Sequence, residues 1–254
     1  MISVKSIFII GFVCALIVPS FAQEAPKLDT SASITLSPKY VWHGVNLVND
    51  WVAQPQVAVG MNGFSLTVWG NIELTDWNLP NYTRNPRGRM TEIDTILDYT
   101  GSWKEGSWKV GLIDYQYPGT GFARYSEYYA GISFAKVWGS PALTVYNNAN
   151  PRTGTYAVLS LSKSFEISGV GQAKSVDLLA ELTFGNNKFN RTLYGWDKSG
   201  FSDLHLAAST SFEVGKGWTL TPALHYTTLF SSDQLAGAPR RTNAWLSISA
   251  GYKF

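Results

Sequence analysis

The last thirteen residues alternate strictly: Ala244, Leu246, Ile248, Ala250, Tyr252 and Phe254 share one face, and Asn243, Trp245, Ser247, Ser249, Gly251 and Lys253 share the other. A two-residue period is the signature of a β-strand with unlike faces. The same split appears at Val176, Leu178, Ala180, Leu182 and Phe184 against Asp177, Glu181 and Thr183. It recurs at Leu204, Leu206, Ala208, Phe212 and Val214 against Asp203, His205, Ser209, Ser211 and Glu213. Beyond the N-terminal region the longest unbroken apolar run is four residues, 156–159, against the roughly 20 that a spanning helix needs. The chain is therefore all-β, either a soluble sandwich with its apolar face inside or a membrane barrel with that face outside. Alternation alone does not distinguish the two.

Four further features favour the barrel. Lys5, an apolar stretch over 7–18, Pro19 and the small-x-small pattern Ser20-Phe21-Ala22 have the layout of a secretory signal cleaved after Ala22. A retained membrane anchor or a lipoprotein site at Cys14 fits less well: the stretch is short, a cleavage pattern follows it directly, and bulky Val13 precedes Cys14. Cleavage leaves 254 − 22 = 232 residues with no cysteine, and loss of Lys5 takes the net charge from +2 to +1. A disulfide scaffold is thereby excluded. Aromatics, 14% of the chain, gather near strand ends, and the last strand stops on an apolar-face Phe254. A charged fraction of only 15% and a near-neutral balance argue against a disordered or nucleic-acid-binding chain.

Turn chemistry places strands at 31–43, 51–61, 64–76, 90–103, 107–117, 126–135, 141–149, 155–167, 175–185, 201–214, 218–230 and 242–254. That gives an antiparallel transmembrane β-barrel of about twelve strands over 31–254, after a signal at 1–22 and a short periplasmic segment at 23–30. Ten strands remain open, because 141–149 is short and polar. Within 107–117 the apolar face shifts from Trp108, Val110 and Leu112 to Ile113, Tyr115 and Tyr117, the mark of a bulge or an early end. Connections alternate between short ones (62–63, 104–106, 136–140, 168–174, 215–217) and generally longer ones (44–50, 77–89, 118–125, 151–154, 186–200, 231–241). Short periplasmic turns and longer external loops would produce this asymmetry.

Tyr40-Val41-Trp42-His43-Gly44-Val45, the hairpin arm from Gly63-Phe64 to Trp69-Gly70, Glu92-Ile93-Asp94 and Tyr115-Gln116-Tyr117-Pro118-Gly119 occur in this order. In these motifs the first half of the mature chain resembles a TorF-like family of porins of Gram-negative bacteria, with His43 standing where the family pattern has Arg. The resemblance implies an outer-membrane barrel and a pore. It implies no substrate.

Parity sends Glu73, Glu92, Asp94, Asp98, Glu127, Asp177, Glu181, Asp203 and Glu213 to the lumen, opposed by Lys39, Lys109 and Lys253. Carboxylate rings favour cations, so an open lumen would pass small solutes with a cation preference; paired and hydrogen-bonded, the same groups would form a plug. Trp69, Tyr129, Tyr146, Tyr156 and Trp245 also point inward and would constrict the passage. All eight arginines lie in or beside the longer connections: Arg84, Arg87, Arg89, Arg124, Arg152, Arg191, Arg240 and Arg241. Guanidinium groups there suit lipopolysaccharide phosphates. Tyr252 and Phe254 resemble the terminal signal read by the barrel-assembly machinery. Expected partners are thus outer-membrane lipid and lipopolysaccharide, that machinery and small solutes, with no nucleic acid, metal or cofactor. The alternative is a closed barrel acting at its external rim, as an adhesion or structural protein or as a hydrolase. For a hydrolase, the inward His205 and His225, with Asp203 and Ser209 near them, are the candidates, although a lipid-acting enzyme would need its nucleophile open to the bilayer.

Overall fold

The computed structural model describes residues 28–78, 82–149, 154–167, 173, 175–236 and 240–254. The expected signal, Arg152 and the 168–172 part of one periplasmic turn lie outside the described residues. Strands β1 (Asp29–Ser37), β2 (Tyr40–Trp42), β3 (Val45–Val48), β4 (Val52–Met61), β5 (Phe64–Glu73), β6 (Arg89–Trp103), β7 (Gly106–Gln116) and β8 (Tyr125–Ser133) make the first part of the chain. Then come β9 (Ala142–Asn148), β10 (Thr155–Glu166), β11 (Ser175–Gly185), helix α1 (Asn187–Tyr194), β12 (Gly200–Ser209), β13 (Phe212–Gly215), β14 (Trp218–Leu229), a 3-10 turn (Ser232–Ala236) and β15 (Thr242–Lys253). Among the described residues no helix is long and apolar enough to cross a membrane.

The sheet runs β12-β11-β10-β9-β8-β7-β6-β5-β4-β1-β15-β14, every neighbour antiparallel, and the β12–β14 pairing closes the ring. Twelve strands form the wall, with β13 continuing β12 after a break at Thr210 and Ser211. Closure removes every sheet edge, which a hydrocarbon environment demands. The apolar parity positions are on the outside: Val57, Leu66, Leu97, Leu112, Val145, Leu161, Leu224 and Leu246 are all exposed. A soluble sandwich would bury them, so the wall is built for lipid. Aromatic girdles mark both ends. Phe64 packs edge-on Tyr99 at 4.7 Å and Trp218 meets Tyr252 at 4.9 Å at the end carrying the short turns, while Phe184 and Phe201 meet at 5.5 Å at the other.

Several boundaries differ from the sequence expectation. The first strand begins at Asp29, already paired with Gly60, and stops at Ser37 instead of reaching residue 43. Residues 40–48 form the separate β2–β3 hairpin. The short polar β9 takes its full place between β8 and β10, so the wall has twelve strands and not ten. No bulge interrupts β7, whose register with β6 and β8 is continuous. Its apolar face changes because Ile113 and Tyr115 point into the lumen, where they are buried with Tyr129 against Ile96, Tyr117, Tyr125 and Tyr146. A second cluster, Val45, Tyr156, Phe189, Tyr194 and Leu229, fills the outer part of the lumen. The hydrophobic core of this protein lies inside the barrel.

Candidate functional site

The β2–β3 hairpin folds into the lumen from the external end of β1. His43 and Gly44 have φ of 46° and 75°, the two positive values a type I′ hairpin turn requires. Gly44 is needed for contact as well as conformation, because a Cβ there would stand 2.7 Å from Leu229 Cδ2 and 3.2 Å from Asp203 Cβ. The turn is tied to the wall by Asn243 Nδ2 donating to the Gly44 carbonyl at 3.2 Å, and by Tyr194 Oη donating to the His43 carbonyl at 2.8 Å. His43 Nδ1 lies 3.2 Å from Thr183 Oγ1 and 3.6 Å from Asp203, with its ring edge-on to Tyr156 and Phe189. At the hairpin's base Tyr40 leans on Trp69, with ring centres 5.6 Å apart.

Helix α1 holds the other side of this plug. Asn186 caps it by accepting from the Phe189 amide at 2.9 Å, and Gly195 ends it in the left-handed conformation. Phe189 and Tyr194 are thereby buried in the lumen, Phe189 stacked on Tyr156 at 4.4 Å and Tyr156 on Tyr146 at 4.7 Å.

The plug divides the lumen. Toward β5–β9 aromatic rings crowd the space, and most of its carboxylates lie against hydroxyl or amide groups. Glu127 is 1% exposed and accepts from Tyr115 and Tyr156 hydroxyls, each at 3.0 Å. Glu73, fully buried, accepts from Asn78 at 3.1 Å; Glu92 lies against Tyr40 and Tyr117; Asp98 accepts from Tyr129 at 3.0 Å. Asp94, opposite Trp69, has a buried Oδ1 without a hydrogen-bond partner. Lys109 lies 5.3 Å from the centre of the Tyr129 ring.

Toward β10–β15 and β1 the lumen keeps a cavity of about 650 Å³. Its charged and titratable lining is Lys39, His43, Glu181, Asp203, His205 and His225; Trp69, Tyr146 and Trp245 narrow it, and serines and threonines cover much of the rest. At mid-depth a hydrogen-bonded chain crosses four strands. Glu181 Oε2 is 2.9 Å from His205 Nδ1, His205 Nε2 is 3.2 Å from His225 Nδ1, and His225 Nε2 is 3.0 Å from Ser247 Oγ. An ionised carboxylate only accepts, so with neutral rings the direction is fixed: each imidazole donates from Nδ1 and accepts at Nε2, and Ser247 donates to His225. Trp245 stacks on His225 at 4.8 Å and holds the ring in place.

The two histidines do meet, as their parity implied, but their carboxylate is Glu181. Asp203 is taken by His43 and by Tyr194 Oη at 3.2 Å, and Ser209 lines the cavity without joining the chain. Asp177 accepts from Ser164 and Ser175 near the periplasmic end, Glu213 lies on β13 by the last turn, and Lys253 pairs with Asp29 at 3.2 Å. Arg84 and Arg87 are exposed in an external loop and Arg89 opens β6. Arg240 is exposed beside Arg241, which donates to the Leu229 and Phe230 carbonyls at 3.0 and 3.2 Å. Arg124 pairs at 2.8 Å with Asp114, an outward residue of β7. Tyr252 packs against Trp218 and Phe254 in the girdle at the short-turn end. Among the described residues no cluster of metal-ligating side chains occurs.

Residues 22–150 match the model of a family described as bacterial protein of unknown function, Gcw_chp, and this is just over half the chain. The chain belongs to this family. The Gcw_chp segment contains β1–β9, hence the whole β2–β3 hairpin and most of the aromatic-crowded side of the lumen. No curated protein matches the chain. Among solved structures, an outer membrane channel from Pseudomonas putida F1 superposes with a TM-score of 0.52 at 8% identity, covering 94% of this chain and 100% of that one. The NanC porin gives 0.48 at 11% identity, covering 90% and 99%. The first likeness places this Gcw_chp protein in the outer-membrane β-barrel fold.

Proposed function

We propose that this protein is an outer-membrane, porin-like channel for passive diffusion of small solutes, the pore being what its TorF-like motifs imply and a cation preference what its inward carboxylates imply. The observation that carries the reading is the cavity of about 650 Å³ beside the plug inside a closed barrel, with Glu181, His205, His225 and several serines and threonines in its lining. Most inward carboxylates do not serve selectivity, since Glu73, Glu92 and Glu127 are buried among their partners. The preference rests on Glu181 in the cavity, and on Asp177 and Glu213 toward the periplasmic mouth, against Lys39. Low-dielectric walls focus so small an imbalance. The external arginines serve lipopolysaccharide, and Tyr252 and Phe254 serve assembly. Purified protein in a planar bilayer tests the proposal: a salt gradient should give a cation-selective reversal potential that falls in Glu181→Gln/Asp177→Asn. Anion preference would hand control to the arginines, and absence of conductance would sink the channel.

One observation favours a second reading. Ser247, His225 and His205 form a nucleophile, a base and an orienting group in sequence, facing the lumen and not the bilayer. Labelling of Ser247 by a fluorophosphonate, lost in His225→Gln, would support a hydrolase; an unlabelled protein would remove that reading.

A further inference from the structure

The outer wall carries a feature that permeation does not use. Between β10 and β14 an apolar groove of about 420 Å³ is cut into the lipid-facing surface. It exists because two outward positions are small. Ala208 sits between Leu178 and Leu224 in one cross-strand row, and Ala180 lies beside Leu161 in the next. A strand surface of leucines would be closed there. Trp138, 75% exposed, walls the groove from the periplasmic connection between β8 and β9, which is tied to β10 by the Ser162 amide donating to the Gly139 carbonyl at 2.7 Å.

Lys163 lines the same groove. Its position faces outward, opposite Leu178, and its side chain is exposed. Among the described residues no carboxylate forms an ion pair with it. A lysine on the lipid face is costly at the midplane and tolerated near the interface. Lys163 stands two residues above Phe165 and three before the periplasmic end of β10, close enough for its stem to carry the ammonium to headgroup level. An interfacial Trp and Lys at one end of an apolar groove offer complementary sites for a phosphate and for a hydrocarbon chain.

We propose that this groove binds a glycerophospholipid of the periplasmic leaflet, one acyl chain lying over Ala180 and Ala208 and the phosphate held by Lys163. The inference rests on the barrel standing in a membrane, but not on its conducting. A second copy of the chain fits less well, because a two-fold contact centred on the groove would bring Lys163 against its own symmetry mate.

Native mass spectrometry of the full protein released from mild detergent tests this, with phosphatidylglycerol and the diacylglycerol of the same chains as probes. Wild type should retain one phosphatidylglycerol in preference to diacylglycerol. Lys163→Gln should weaken retention about fivefold, the weight of one lysine at an anionic lipid surface, and Ala180→Leu/Ala208→Leu should abolish it. Both variants leave the lumen untouched, so their heat-dependent shift on SDS gels should match wild type. Equal retention of the two lipids by wild type would overturn the proposal even if a variant failed to fold. So would equal phosphatidylglycerol retention in all three proteins, or a lipid-free dimer lost in the alanine variant. An absent heat shift in wild type would instead count against the membrane barrel itself.

Discussion

Replacing Gly44 by alanine should release the plug without opening the wall. At φ of 75° an L-residue is disfavoured, and the new Cβ would lie 2.7 Å from Leu229 Cδ2 and 3.2 Å from Asp203 Cβ. The left-handed backbone costs an alanine roughly 1–2 kcal/mol. Overpacking against a fully buried Leu229 adds about 1–3 kcal/mol. The docked hairpin therefore loses about 2–5 kcal/mol, and at tenfold per 1.4 kcal/mol its undocked population rises by at least about thirtyfold. Gly44 takes no part in the strand-to-strand ladders of the wall, its carbonyl being held by the Asn243 side chain, so the barrel should stay closed and its heat-dependent gel shift should persist. Single-channel recordings should then show frequent excursions to a larger conductance, as Trp42, His43 and Tyr40 leave the passage. Unchanged level and dwell times in a folded variant would refute the assignment of the hairpin as the constriction.

Other perturbations address the Glu127 site, the wall and the cavity. Tyr156→Phe removes one of the two hydroxyls on Glu127, and a hydrogen bond to a charged group is worth about 1.5–3 kcal/mol; guanidinium unfolding in lipid vesicles should show that loss, and a change below about 0.5 kcal/mol would mean that the carboxylate is otherwise satisfied. Leu246→Lys places an ammonium at a wall position 66% exposed to the bilayer and should cost about 2–4 kcal/mol in the same assay; a neutral result would argue against a lipid-facing wall. Cys14 is the chain's one cysteine, so with Cys14→Ser as background single cysteines at Ser209 and Ser247 should react with a water-borne thiol reagent while one at Leu246 should not. The reverse pattern would invert the faces.

The wall was legible because its information is local: parity and turn residues locate β10, β11, β14 and β15 almost to the residue. Parity does not reveal that apolar side chains share the inner face. Ile113 and Tyr115 read as a slipped face because they are apolar, yet they point inward and pack with Tyr129, while Tyr115 donates to Glu127. Tyr40-Val41-Trp42 has strand character and was read as the end of the first strand; the overlooked signal was His43-Gly44 between two short apolar arms. The Glu181–His205 contact needs a register that no single strand encodes, and a bulge between Thr183 and Phe184 fixes where Asp203 falls relative to it. Helix α1 is short and polar, and only Asn186 and Gly195 announce its ends.

The tether between Asn243 and Gly44 joins residues 199 positions apart, and Tyr194 reaches His43 across 151. Tyr194 lies on α1, whereas Asn243 belongs to β15, so the Asn243 tether cannot form before the last strand is in place. A nascent barrel therefore has no locked plug. Locking of the hairpin is a late kinetic event that reports closure, and non-local contacts of such span are slow to form. The lumen passes from wide to narrow at that moment, so the finished protein acquires its size limit only after its strands have been stitched, and a chain arrested before the last strand pairs would leave the membrane with a wider hole than the native one.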